Sequence, residues 1–190
     1  MKALHKDIVL SATYQQTVSN DAKGSATDGS NRLFWRANRR RLDAEELRDS
    51  LLLVSGALEE KGGGRPARLT DDNRKRTVYG YVSRKKLDTM LGLFDFPNPN
   101  STSEQRMTTN VPLQSLFFLN STFVRKQAEM LVKRAGEGDE RARISKVYRL
   151  VYGRPADAKE IEAGLDFLQS GDWTQYAQVL LSSNEFLFVN

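Results

Sequence analysis

Arg36, Arg39, Arg40 and Arg41 crowd beside Trp35, and there side chains of this sequence could first do chemistry. Guanidinium groups grip phosphate, sulfate or carboxylate through paired hydrogen bonds, so the cluster fits an anion, and nucleic acid as one form of it. Asn38 and Asp43 flank the arginines and would orient what they hold. A competing arrangement is equally visible. Asp43, Glu45, Glu46 and Asp49 follow directly and would pair with the arginines as an ordinary solvated network. The second candidate is the segment from Phe94 to Arg106, which opens Phe94-Asp95-Phe96-Pro97-Asn98-Pro99-Asn100. Its prolines exclude helix and force extended or turn geometry on their neighbours. Loops held by a scaffold often carry binding residues, which makes Asp95, Asn98 and Arg106 site candidates. The structural alternative is that the same residues cap helix ends and satisfy loop carbonyls.

No catalytic constellation accompanies these clusters. General acid–base work usually rests on a histidine or a perturbed carboxylate pair, and the one histidine, His5, sits on the opening helix. A Ser-His-Asp triad would have to use His5, and no G-x-S-x-G elbow exists. The chain has no cysteine, which excludes disulfides, thiol nucleophiles, Cys-ligated zinc and an attached c-type haem within it. No H-E-x-x-H or calcium loop is present, and Asp71-Asp72-Asn73 and residues 21–31 read as solvated loops, so no metal is expected. Gly62-Gly63-Gly64 lacks the Lys-Ser/Thr of a phosphate loop and reads as a helix stop and linker.

The elements that must position these clusters are mostly helices. Leu4, Ile8 and Ala12 predict a helix over 3–16, followed by a polar loop over 17–30. Leu33, Phe34 and Trp35 suggest one or two helical turns within 31–38. Asp43 with Glu46 forms a capping box, and Leu47, Leu51, Val54 and Leu58 line the helix that follows. Thr77-Val78-Tyr79-Gly80-Tyr81-Val82 has the alternation of a short strand, and residues 84–93 suggest a short helix. From Pro112 helix follows helix, with Phe117-Phe118-Leu119 and Phe123 as core. Ser121 caps a face of Val124, Ala128, Leu131 and Ala135. Ile144, Val147, Tyr148 and Val151 mark the next helix, stopped by Gly153-Arg154-Pro155. Asp157 with Glu160 opens a helix carrying Ile161, Leu165 and Leu168. Asp172 with Gln175 opens one carrying Tyr176, Val179 and Leu180, and an apolar tail from Asn184 to Val189 docks on the core. The expected fold is mainly α, an antiparallel helical bundle with long loops and at most one short β element near 77–82. It is one domain over 1–190: helices and the Arg-rich signature to about 60, a loop-rich middle over 61–111, and the bundle over 112–190.

Bulk composition agrees. At 190 residues with 39% hydrophobic and 28% charged residues the chain can build a core. The net charge of +5 is mild and acids are interspersed throughout, so nucleic acid is not the expected partner. No apolar run approaches the roughly 20 residues of a membrane-spanning helix, and no export signal is visible.

Several stretches together resemble one family. They are Ala3 to Gln16, Asn31 to Glu45, and Phe94 to Asn100 with Arg106, Thr109, Gln114, Leu119-Asn120-Ser121 and Phe123-Val124. Gly153-Arg154-Pro155 and Ser183-Asn184-Glu185-Phe186 complete the set. This pattern is similar to DUF1553, a planctomycete surface-protein or cytochrome-associated C-terminal domain. The resemblance implies a large exported bacterial protein in which this domain comes last. A cytochrome-c-like segment with a Cys-x-x-Cys-His motif would lie upstream, so haem c belongs to that region and no cofactor to this chain. Met1 is then expected to be an internal methionine of a truncated or split gene product. The implied location is the periplasm or cell envelope. The implied partners are the upstream domains of the same polypeptide and a carbohydrate or anionic ligand. The expected role is a binding or structural accessory domain. Two readings stay open beside it: part of a redox or polysaccharide-acting enzyme whose catalytic centre lies mostly upstream, and an anion or nucleic-acid binder through Arg36–Arg41.

Overall fold

The computed structural model describes residues 1–19 and 21–189, and within them the fold is mainly α. Its elements are α1 (Lys2–Val9), α2 (Ala22–Thr27), β1 (Arg40–Arg41), α3 (Ala44–Ser55), a 3-10 turn (Thr77–Tyr79), α4 (Thr89–Leu93), α5 (Pro112–Asn120), α6 (Thr122–Ala135), α7 (Glu140–Tyr152), α8 (Ala158–Leu168), α9 (Trp173–Leu181), α10 (Asn184–Leu187) and β2 (Phe188–Val189). The chain divides into two compact units, Met1–Arg41 with Phe188–Asn190, and Leu42–Leu187.

The first unit departs most from the sequence reading. α1 ends at Val9 instead of reaching residue 16, and none of its residues is buried. The expected polar loop over 17–30, whose Asn20 lies outside the described residues, contains α2, capped by the Asp21 carboxylate on the Gly24 N–H at 2.9 Å. The expected helical turns over 31–38 are absent. Asn31, in the left-handed region at φ 54°, organises that stretch instead. Its side-chain amide donates to the Arg36 carbonyl at 2.8 Å and to Asn38 Oδ1 at 3.0 Å, and its Oδ1 accepts the Arg36 N–H at 3.3 Å. An Asn can do this because its short side chain replaces backbone partners and tolerates that conformation. β1 pairs with β2 antiparallel, with Arg40 opposite Val189 and Arg41 opposite Phe188.

In the second unit α6 is the central helix and packs against α3 and α9. Its buried residues Phe123, Val124, Ala128, Leu131 and Ala135 fall at helical spacing, as do Ile144, Val147, Tyr148 and Val151 of α7. Both faces are those the periodicity predicts. The capping boxes at Asp157 and Asp172 also form, each carboxylate accepting the third residue's N–H at 2.8 Å. α3 stops at Gly56, before Leu58, because Gly56 takes φ 77° and closes the helix in the left-handed conformation. Arg134 of α6 then donates to the α3 carbonyls of Leu53 and Val54 at 2.8 and 2.9 Å. A buried polar pair, Ser55 Oγ donating to Gln127 Oε1 at 2.7 Å, joins the same two helices. Gly164 lets α8 approach α9, since a Cβ there would lie 2.6 Å from the Tyr176 hydroxyl oxygen.

Three details differ from expectation. Thr77–Tyr79 is a 3-10 turn, with an isolated parallel bridge between Gly80 and Ala67 in place of a strand. Asp49 explains the turn: its Oδ1 accepts both the Thr77 N–H at 2.7 Å and the Thr77 hydroxyl at 2.6 Å. Leu119, expected in the core, is 60% exposed, while Phe118 is buried and meets Phe94 and Phe117 edge-on. Val179 is likewise exposed, and Ala177 and Leu181 are buried in α9 instead. The tail does dock, with Phe186 and Leu187 buried, and the Leu42 N–H donates to the Leu187 carbonyl at 2.9 Å.

Arg154 locks the C-terminal helices. Its guanidinium meets both carboxylate oxygens of Glu160 (2.8 and 2.7 Å) and both of Glu185 (2.6 and 2.7 Å). It also lies over the rings of Tyr148 and Tyr152. Burial pushes the Tyr152 hydroxyl up to about 12.

Candidate functional site

The candidate residues fall in both units. In the first, Arg36 is half-buried with its guanidinium 5.3 Å from the Trp35 ring centroid, and the Trp35 indole N–H donates to the Asp28 carbonyl at 2.9 Å. Asn38 is held by Asn31, Arg39 is exposed, and Arg41 is buried on β1. Asp28 is the anchor of this turn. The Leu33 N–H on its carboxylate, at 2.7 Å, holds its pKa below the usual carboxylate range.

In the second unit the structure joins Asp43 to Arg106 across the sequence. Arg106 reaches α3 and makes two parallel bonds to Glu45, both 2.7 Å, with Asp43 3.5 Å away. Its guanidinium also lies 5.5 Å from the Phe96 ring centroid. In the sequence Glu45 reads only as a neighbour of the arginine cluster, yet it is the group Arg106 grips. The other two acids expected near that cluster are engaged in this unit as well. Glu46 accepts the Asp43 N–H at 2.9 Å, and Asp49 meets Arg76 at 3.5 Å besides Thr77.

Asp95 builds a separate knot. It sits at φ 61°, in the left-handed region, and its carboxylate accepts the Thr109 N–H at 2.7 Å and the Thr109 hydroxyl at 2.8 Å. Gln114, buried at the start of α5, donates to the Leu93 carbonyl at 2.9 Å and accepts the Val111 N–H at 3.3 Å. Asn98 turns inward on its own loop, accepting the Asn100 N–H at 2.9 Å. The Asn100 side chain donates to the Arg84 carbonyl at 2.7 Å. Asp95, Asn98, Asn100 and Gln114 thus fasten backbone, while Arg106 reaches the Glu45 side chain. Together they tie the proline-punctuated loop to α3, α4 and α5. Asp95, Asn98 and Arg106 do not converge on one vacant point in these contacts.

Arg48 is a key polar residue the sequence reading passed over. It reads as one more polar position on α3, and the only signal was its place between the core residues Leu47 and Leu51. It is 2% exposed, donates to the carbonyls of Lys75 and Asn73 and to the Thr77 hydroxyl, and lies over the Phe123 ring. Burial pulls its pKa down from the usual arginine value.

The Arg106 guanidinium, bonded to Glu45, holds the Glu45 carboxyl below its ordinary value of 4.5. A lowered folded pKa gives stability that is complete above the unfolded value and is lost as pH falls through the folded one. Glu45→Gln should therefore cost roughly 0.5–1 kcal/mol at pH 7, as a partly exposed pair does, and flatten the acid side of the stability curve below pH 4.5. Urea midpoints between pH 3 and 7 measure both effects; an unchanged acid limb would mean that the pair contributes nothing.

Among the described residues, no three His, Cys, Asp or Glu side chains form a group that could hold a metal ion, and no helix is long and apolar enough to cross a membrane. Neither the curated proteins nor the solved structures contain a match to this chain. The family model PSD1, protein of unknown function (DUF1553), matches residues 1–168, and the chain belongs to that family.

Proposed function

We propose that this chain is a binding and structural accessory domain of a bacterial cell-envelope protein, docked through α5 on the upstream domains of its own polypeptide. The observation that carries this reading is the outward stripe of α5. Leu113, Leu116 and Leu119 recur every third residue and are 63%, 47% and 60% exposed. Met107 and Val111, 75% and 37% exposed, lead into the stripe. A contiguous apolar patch of this kind marks an interaction surface, and burying each leucine fully is worth about 1.5–3 kcal/mol. Behind it, the Asp95–Thr109–Gln114 knot holds the loop before α5 in place, so the stripe is presented on a fixed support. Membership of the DUF1553 family is in keeping with this context, since the resemblance in the motifs implies a domain that comes last in an exported protein.

Antibody raised against residues 112–187 tests location and context together. The expected result is a band well above 21.5 kDa in the envelope fraction of the host. A band at 21.5 kDa in the cytosol overturns the reading. The surface itself is tested by Leu113→Ser, Leu116→Ser and Leu119→Ser combined. These exposed positions should leave the unfolding midpoint within about 0.5 kcal/mol of the parent while releasing the domain from its neighbours to limited proteolysis. Loss of several kcal/mol, or no change in protease release, would show that the stripe serves no interface.

A further inference from the structure

Residues 68–70 and 81–89 of the second unit line an open-sided cavity of about 350 Å³. The two segments are held together by backbone: the Tyr81 N–H donates to the Ala67 carbonyl at 2.8 Å, and the Ala67 N–H donates to the Tyr79 carbonyl at 3.3 Å. Two cations, Arg68 and Lys86, line the cavity. Among the described residues neither side chain has a hydrogen-bonding or ion-pair partner. The nearby acids are committed elsewhere. Asp71 accepts the Thr122 hydroxyl at 2.5 Å, and Asp72 pairs with Lys126 at 3.0 Å. Asp88, the one acid on the wall, turns an oxygen onto the Met90 and Leu91 N–H groups at 3.0 and 3.3 Å. The wall therefore keeps an excess positive charge.

The remaining polar groups suit a hydroxylated body. Thr70, Thr89 and Tyr81 present hydroxyls without protein partners among the described residues, and Ser83 Oγ, which accepts the Lys86 N–H at 3.2 Å, still has its own proton to donate. At about 30 Å³ per water the cavity displaces roughly ten waters, more than one bare tetrahedral oxyanion replaces. Its volume lies in the range of small-molecule pockets, about 300–1,000 Å³. We infer that this cavity is a binding site for a small hydroxylated organic oxyanion, a sugar-sized molecule whose phosphate or sulfate head sits between Arg68 and Lys86. The hydroxyls of Thr70, Ser83 and Thr89 take its body, and the Tyr81 ring forms one wall. The site lies apart in sequence from α5, and neither assignment needs the other.

Amide chemical shifts of the whole chain, titrated with glucose 6-phosphate, glucose 6-sulfate, glucose and inorganic phosphate, test the site. The expected result is saturable shifts at Thr70, Ser83 and Thr89 with one or both esters. The midpoint should lie at least about tenfold below those of glucose and of phosphate alone, since head and body both contribute. The two esters together tell which head is preferred. Arg68→Gln with Lys86→Gln should weaken ester binding by about tenfold or more. The variant keeps its fold because neither side chain holds another residue. Equal binding of inorganic phosphate and the esters overturns the assignment of a body pocket. Absence of saturable shifts, or binding that survives the double variant, overturns the site altogether.

Discussion

Arg48→Met is expected to destabilise the domain by about 3–4 kcal/mol, the largest effect of any single polar substitution proposed for this chain. Methionine fills most of the same volume and keeps contact with Phe123. It donates nothing, however, and the carbonyls of Lys75 and Asn73 and the Thr77 hydroxyl lose a charged donor at a buried position. Each such bond is worth roughly 1.5–3 kcal/mol when the donor is charged, and backbone relaxation toward water offsets part of the sum. For a chain of this size the change corresponds to a fall of roughly 10 °C in the unfolding midpoint. Arg48→Lys separates charge from geometry. Lysine retains the positive charge but not the planar fork, so it should recover less than half of the loss. Thermal unfolding of both variants is the measurement. A methionine variant within about 1 kcal/mol of the parent would mean that the 73–77 segment is held by Asp49 alone.

Asp95→Ala is the second large effect, about 2–3 kcal/mol. Two costs add. The Thr109 N–H and hydroxyl lose the carboxylate that accepts both. Alanine must also adopt φ 61°, which costs an ordinary residue about 1 kcal/mol. Asp95→Gly isolates the first term, because glycine takes the left-handed conformation without strain. The glycine variant should therefore be more stable than the alanine variant by about 1 kcal/mol, the reverse of the usual order of the two residues. If alanine proves the more stable, the backbone at this position has relaxed and the knot is looser than described. Urea unfolding resolves a difference of this size.

The helical half was readable because its signals are local and agree with one another. In α6 and α7 the spacing of apolar residues and the capping residues point to the same boundaries. Failures came where a distant group decides the outcome. Thr77-Val78-Tyr79 has good strand chemistry, yet the Asp49 carboxylate, 28 positions away, captures Thr77 and curls the segment. Arg106 finds Glu45 at a separation of 61 residues, whereas reading along the chain offers Glu45 only its neighbouring arginines. Residues 31–38 carry three large apolar side chains that suggest helix, but one asparagine at positive φ supplies the partners a helix would have supplied. The β pair joins the two ends of a long stretch of chain, and nothing near Arg40 or Phe188 reveals it. The candidate residues stand out in the sequence by type and spacing. What each one touches is not legible there, because a run of residue types does not say whom they meet.

The hydrogen bond between Leu42 and Leu187 has a mechanical consequence. The second unit begins and ends at a single clasp, continued by the register of Arg41 with Phe188 and Arg40 with Val189. Tension applied at Arg40 and Val189 crosses this short ladder first and bypasses α3 to α10 until the ladder parts. Its failure is unzipping, one rung at a time, starting at the outer pair of Arg40 and Val189, after which the load falls on the unit between Leu42 and Leu187. A domain wired in this way yields a few residues of length at its clasp before its core bears any load.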